Sequence, residues 1–128
     1  MSLFIDLLQT SNDFRCLKPS NKSEIVKAEN ELQLKFSDEY KEYVLTCGAA
    51  IGRGHEFTGL TTSKRLNVVS VTQEERQYHT VPSDWYVVEQ LYIDGVVIWQ
   101  STNGEVFQSL PGQSPTKLCN SLLEYIKL

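Results

Sequence analysis

The sequence predicts an α+β fold, with a mainly antiparallel sheet, helices ahead of it and a carboxy-terminal helix packed on it. Three observations predict this. Apolar residues recur at helical spacing before Gly48, the period becomes strand-like after it, and helical spacing returns from Thr116. A first helix falls on residues 3–9, with Leu3, Phe4, Leu7 and Leu8 on one face. After a polar connection through Pro19, Asn21 and Glu24 fit a capping box, and Ile25, Ala28 and Leu32 line the inner face of the helix that follows. Ser37 opens a third helix. Asp38 and Glu39 complement its positive end, and Tyr40, Tyr43, Val44 and Cys47 recur at i, i+3, i+4 and i+7. Gly48 is expected to end that helix as a left-handed stop.

Beyond this point "EFTGL" (56–60) and "LNVVSVT" (66–72) read as strands, and a capping box from Thr72 to Glu75 predicts a short helix over 73–78. Residues 85–110 predict a three-stranded meander, with two-residue turns at Asp94-Gly95 and Asn103-Gly104. "PGQSP" breaks the meander. Residues 116–128 then predict a closing helix with Leu118, Leu122, Leu123 and Ile126 inward. At 128 residues and 41% hydrophobic composition, the chain is expected to form one domain over 1–128.

Charge and cysteine content narrow the function. The formal net charge is −4, and no lysine or arginine occurs between Arg76 and Lys117, an interval that holds Asp84, Glu89, Asp94 and Glu105. Such an acidic segment disfavours direct nucleic-acid binding, which needs clustered cations, and favours a basic protein partner. Cys16, Cys47 and Cys119 are odd in number, far apart and free of C-x-x-C spacing, so the expectation is neither a disulfide framework nor a zinc site, in a reducing cytoplasm. The first ten residues lack a basic leader and read as a helix start, and no stretch reaches the length of a membrane span.

"GAAIGRGHEFTGL" (48–60) is the segment most suggestive of chemistry. A phosphate loop follows a strand and opens a helix, whereas this one leaves the carboxyl end of a helix, where the orphan groups are carbonyls, and it has no G-K-[ST] ending. Its glycines read as permissions for a tight exit into a strand near His55, with Arg53 favourably placed at a negative helix end. A hydrolase built on Cys47 or His55 is the weaker alternative, because Cys47 lies on an apolar stripe and sequence neighbours across a helix end and a strand rarely bring nucleophile, base and orienting group together. The two histidines lack metal-ligand spacing.

The meander carries Trp85, Tyr86, Tyr92, Trp99 and Phe107, with apolar residues on both strand parities. One parity packs on the helices. The other is either covered as well or exposed as an aromatic patch rimmed by acids, and the second case describes a protein-binding surface. Trp85, Glu89, Asp94, Trp99 and Glu105 are therefore the candidate partner-binding residues, with the tryptophans as anchors.

"EIVKAENELQLKFSDEYKEYVLTCGAA", followed by "EFTGL", "VTQEER" and "DGVVIWQSTNGEVF", resembles the SUKH superfamily over residues 20–127. Glu29 and Leu32 match its E-x-x-L element, and Asp38, Tyr40, Tyr43 and Leu45 match its next helix. Gln33 stands where the family often has glycine, Ser37 replaces its usual proline, and Ala49 replaces the second glycine of its pair. The resemblance implies a non-enzymatic cytoplasmic immunity protein without cofactor or metal. Such a protein binds a cognate toxin, often a nuclease or nucleic-acid deaminase, and occludes its active site. The alternative it implies is a regulatory or scaffold module, as in control of cell-wall synthesis. Edge strands permit a homodimer without demanding one.

Overall fold

The computed structural model describes residues 2–128. In chain order the elements are α1 (Leu3–Leu8), β1 (Arg15–Cys16), α2 (Lys22–Leu32), α3 (Asp38–Thr46), β2 (Ala50–Gly52), β3 (His55–Glu56), a 3-10 turn (Lys64–Leu66), α4 (Val68–Glu75), β4 (Tyr86–Gln90), β5 (Val97–Gln100), β6 (Val106–Ser109), β7 (Thr116–Cys119) and α5 (Leu122–Tyr125). The strands form two antiparallel sheets, β1-β2-β3 and β4-β5-β6-β7. The architecture is α+β, as the sequence predicts.

Local chemistry explains the helix ends. The Asn21 side chain accepts the Glu24 N–H at 2.9 Å while the Glu24 carboxylate accepts the Asn21 N–H at 3.1 Å, completing the capping box of α2. Gln33 ends α2 in the left-handed region at φ 57°, which accounts for glycine being common there in the superfamily. Buried Glu29 accepts the Phe36 N–H at 2.9 Å, and buried Leu32 packs in the core, so the E-x-x-L element fixes the α2–α3 corner. The Ser37 hydroxyl accepts the Tyr40 N–H at 3.1 Å and starts α3 without proline.

Several expectations are corrected. Gly48 is not a left-handed stop: α3 ends on extended Cys47, and Gly48 has no positive φ. Its missing side chain instead allows close packing, because a Cβ there would sit 2.2 Å from the Lys18 carbonyl oxygen. The segment 66–72 is not a strand. Asn67 accepts the N–H groups of Val69 and Ser70 and starts α4, whose Val68, Val71 and Thr72 are buried at helical spacing. β-Branched residues suggested a strand, and tertiary packing prevailed. The helix predicted over 73–78 is thus the end of α4 displaced toward the carboxyl terminus.

The meander gains a fourth strand. After the turn containing Gly112, residues 116–119 pair with β6 as β7, and only Leu122–Tyr125 are helical, capped by Ser121 through the Glu124 N–H at 3.0 Å. The β4–β5 connection also differs from a two-residue turn. Asp94 and Gly95 do have positive φ, but pairing stops at Gln90↔Val97, leaving a loop over 91–96. In the next connection Gly104 alone has positive φ. The turn that does have two positive φ angles in a two-residue loop is Arg53-Gly54, between β2 and β3.

The four-stranded sheet is covered on both faces. Tyr86, Val88, Ile98 and Val106 face the main core with residues of α1, α2, α3 and α5, while Val87, Val97 and Trp99 form a second cluster with Trp85 and with Val71 of α4. Phe107 stacks on Trp85 with ring centroids 3.9 Å apart.

Cys16 and Cys47 form a disulfide, with Cα atoms 5.2 Å apart, and Cys119 is a buried free thiol. The expectation against a disulfide framework is thereby corrected for this pair: the strand at 15–16, too short to recognise, returns Cys16 to the end of α3. The bridge spans a sequence separation of 31. Replacing both cysteines by serine is expected to lower unfolding stability by about 3–4 kcal/mol through the freed chain entropy of the denatured state, read from urea unfolding midpoints. Gln33→Gly is expected to raise stability by roughly 0.5–1 kcal/mol by removing the left-handed penalty, in the same assay.

Candidate functional site

Of the five residues expected to bind a partner, three lie inside the fold. Trp99 is wholly buried, Trp85 is 7% exposed and Glu89 is 3% exposed. The Trp99 indole donates to Ser109 Oγ at 2.7 Å, so even its polar edge is used internally. The physical reason is α4 with the segment around Val81, which cover the second sheet face that was left open as a candidate surface. Glu105 is partly exposed but paired with Lys117 at 2.6 Å, and Asp94 is exposed. The five residues do not converge on one patch.

Glu89 has a different setting from the one expected. In β4 the register shifts between Val87 and Glu89, so Val87 pairs with Trp99 and Glu89 pairs with Ile98. Val88 is the extra residue of a bulge, and the bulge turns Glu89 onto the main-core face, which strict alternation would have denied it. There its carboxylate accepts three hydrogen bonds: from Tyr125 Oη at 2.7 Å, from His55 Nδ1 at 2.8 Å and from the Glu56 amide at 3.1 Å. The carboxylate thus joins β4 to α5 and to the β2–β3 hairpin. The hydrogen bond to Glu89 raises the His55 pKa above its ordinary value, against a smaller opposing effect of burial.

Neighbouring groups fix the hairpin that carries His55. Asp13 accepts the Arg53 amide at 2.9 Å and the Gly54 amide at 2.8 Å. The Ser11 hydroxyl and these amides hold the Asp13 carboxyl down at about 2. Arg53 donates to the Ile126 carbonyl at 3.0 Å, so the negative helix end it serves is that of α5, not α3.

A second cluster lies on the other sheet face. Ser109 Oγ, already an acceptor for Trp99, donates to His79 Nδ1 at 2.7 Å, and His79 Nε2 lies 3.7 Å from Glu75. The residue types are those of a nucleophile, base and orienting acid, but Ser109 is 2% exposed and His79 is 7% exposed, so no substrate reaches the hydroxyl. Burial lowers the His79 pKa, favouring the neutral ring that accepts this hydrogen bond. Cys47, the other candidate nucleophile, is bound in the disulfide. Among the described residues no group of three His, Cys, Asp or Glu side chains could hold a metal ion. No helix among them is long and apolar enough to cross a membrane.

Three exposed features remain outside these clusters. A groove of about 460 Å³ runs between α2 and α4, lined by Lys27, Glu31, Asn67 and Gln73 among others. Another of about 530 Å³ lies where α3 meets the 102–104 turn. The loop 91–96 projects Tyr92 and Ile93, which are 61% and 64% exposed.

These features define an α+β domain in which the Glu89–His55–Tyr125 and Ser109–His79–Glu75 groups are engaged with one another. The SUKH_5 family model, described as SMI1-KNR4 cell-wall, matches residues 1–127, and the chain belongs to this family. No curated protein matches the chain.

The inward Glu89 was concealed by the bulge, although one sequence signal pointed to it: a carboxylate within the apolar run "YVVEQ" needs buried partners. His55 and Tyr125 carried no mutual signal, being joined only by the fold.

The His55–Glu89 contact makes stability depend on pH. Because the His55 pKa is raised from 6.5 on folding, the contact contributes fully below about 6.5, and its contribution is lost as pH rises through the folded-state value. His79, with a lowered pKa, acts in the opposite sense, so the wild type alone does not separate the two. The stability difference between wild type and His55→Gln is expected to be larger at pH 6 than at pH 8.5 in urea unfolding. A difference independent of pH would contradict this assignment.

Proposed function

We propose that this protein is a non-enzymatic binding domain that neutralises a protein toxin by covering the surface the toxin works with. The observation that carries the reading is the engagement of both chemically capable clusters. The Glu89 carboxylate is filled by three donors, and the Ser109 hydroxyl is shared between Trp99 and His79 in the interior. What the molecule offers another macromolecule is therefore shape and charge at its outer surface. Family membership over residues 1–127 supports the reading, since immunity to toxins is a role known for the superfamily.

The net charge of −4 suits a basic target such as a nuclease or nucleic-acid deaminase, whose substrate groove needs cations, and an acidic partner speeds encounter with such a groove. The acidic contribution comes from fewer residues than the sequence suggested, because Glu89 is interior and Glu105 is paired with Lys117. Neutralising a toxin at low copy number calls for a dissociation constant of about 1 nM or tighter, near −12 kcal/mol. The Cys16–Cys47 bridge weighs against a cytoplasmic location, because such bonds persist in oxidising compartments and are rare in the cytosol.

The family description, with its reference to the cell wall, favours a second reading: a regulatory or scaffold module for envelope synthesis. A toxin gene beside this one separates the two. Co-expression with the toxin domain encoded there is expected to restore growth and to yield a complex that co-purifies. Growth arrest despite soluble protein would reject neutralisation, and rescue without a complex would reject occlusion.

A further inference from the structure

We propose that Tyr92, Ile93 and Asp94, at the tip of the β4–β5 connection, form the knob by which this protein docks into an apolar pocket rimmed by cationic side chains on its protein partner. The inference rests on the binding reading above and assigns it a surface.

Exposure is the first argument. Tyr92 and Ile93 are 61% and 64% exposed, and nowhere else among the described residues are two consecutive large apolar side chains both exposed. Single exposed apolar residues are ordinary, whereas an adjacent aromatic and β-branched pair at a loop tip is the composition of an interface anchor.

The backbone is the second argument. Tyr92 has φ 58° and Asp94 has φ 52°, both in the left-handed region that disfavours side chains and an aromatic one in particular. Such residues persist where the surroundings hold them, and they cluster at functional positions. Here the Tyr92 amide donates to Gln90 Oε1 at 2.6 Å, the Val96 amide to the Ile93 carbonyl at 2.9 Å and the Leu91 amide to the Val96 carbonyl at 3.3 Å. These bonds set the loop before binding, which lowers the ordering cost of association.

Charge identifies the occupant. Among the described residues Asp94 has no ion pair, and no lysine or arginine of its own segment lies between Arg76 and Lys117. Beside the tip runs a cleft of about 290 Å³ lined by Lys64, Arg65, Glu74, Glu75 and Tyr92 among others. Arg65 is paired with Glu56, Glu75 lies beside His79, and Lys64 offsets Glu74, so the uncompensated charge at the tip is that of Asp94. A pocket that receives Ile93 thus meets the unpaired carboxylate of Asp94, and cations on its rim complement it. The same carboxylate disfavours a nucleic acid or an anionic membrane surface. A second copy of this chain meeting tip to tip would set Asp94 against its own counterpart.

The test is binding of the purified protein to an inactivated form of the toxin domain encoded in the neighbouring gene, followed by titration and by association kinetics. The double variant Tyr92→Asn/Ile93→Ser is expected to bind about 100-fold more weakly while its thermal midpoint stays unchanged or rises, because asparagine accepts the left-handed backbone. Ile93→Ser alone leaves Tyr92 in place and is expected to cost about tenfold. Asp94→Lys is expected to slow association about tenfold at low salt, with the effect fading at high salt. If the wild type binds and all three variants bind equally well, the tip is overturned while the binding reading stands. If the wild type fails to bind, the reading itself fails and the tip with it. Dimerisation that disappears in the double variant would overturn the heterologous partner in favour of a second copy.

Discussion

Helix α3 supplies the hydrogen bonds that join both sheets to the last helix, and the rest of the structure depends on them. The Tyr43 hydroxyl donates to the Thr58 carbonyl at 2.6 Å and accepts the Ala50 amide at 3.0 Å. The Tyr40 hydroxyl donates to Thr58 Oγ1 at 2.9 Å, which in turn donates to the Val87 carbonyl at 2.7 Å. Two turns of one helix thereby tie β2, the segment after β3 and β4 together through buried groups. Burial pushes both phenols upward from their ordinary pKa, as expected of hydroxyls that must stay neutral in an apolar setting. At the start of the same helix, Glu39 accepts the amides of Leu122 and Leu123 at 2.7 and 3.0 Å and so supplies α5 with the acceptors its first turn lacks. Gln100 of β5 donates to that carboxylate at 2.9 Å and accepts from Tyr86 at 2.8 Å. Buried networks of this kind are stabilising only when complete. The spacing of Glu39, Tyr40 and Tyr43 on α3 is set by the partners each must reach.

A sheet covered on both faces constrains where such a domain can meet another molecule. The aromatic residues of β4, β5 and β6 are largely consumed in packing, and the outer edge of β4 is occupied as well: Thr58 donates to the Val87 and Val88 carbonyls, and the Val87 amide donates to Thr72 Oγ1. The surface left to contact a partner is therefore made of loops and helix exteriors mounted on a rigid sheet, the arrangement in which recognition residues are commonly found.

The amino-terminal half was the more legible in the sequence. Capping signals at Asn21 and Ser37 and the apolar stripe of α3 are local, and each corresponds to an observed contact. The carboxy-terminal half was less legible because its decisive constraints are not local. Val68, Val69 and Val71 have strand-forming side chains, yet Asn67 caps them into a helix and the sheet buries its inner face. Leu118 fits a helical stripe with Leu122, but its neighbours pair with β6. For the candidate site, the tryptophans suggested an exposed patch because strand parity alone does not say what covers a second face. Glu89 was misplaced by the one residue that a bulge inserts. Asp94 lies in an exposed six-residue loop and not in the two-residue turn expected, and the left-handed backbone of Tyr92 is an angle that no sequence pattern announces.

The link from Cys16 to Cys47 encloses the whole of α2 and α3 within one covalent ring. A protease that cuts once in the exposed stretch ahead of Asn21, or at the α2–α3 corner, would leave two pieces that cannot diffuse apart. Both would remain tethered beside the packed tyrosines of α3. A nicked molecule can thus keep its shape and its surface, and only a thiol reductant would release the amino-terminal fragment.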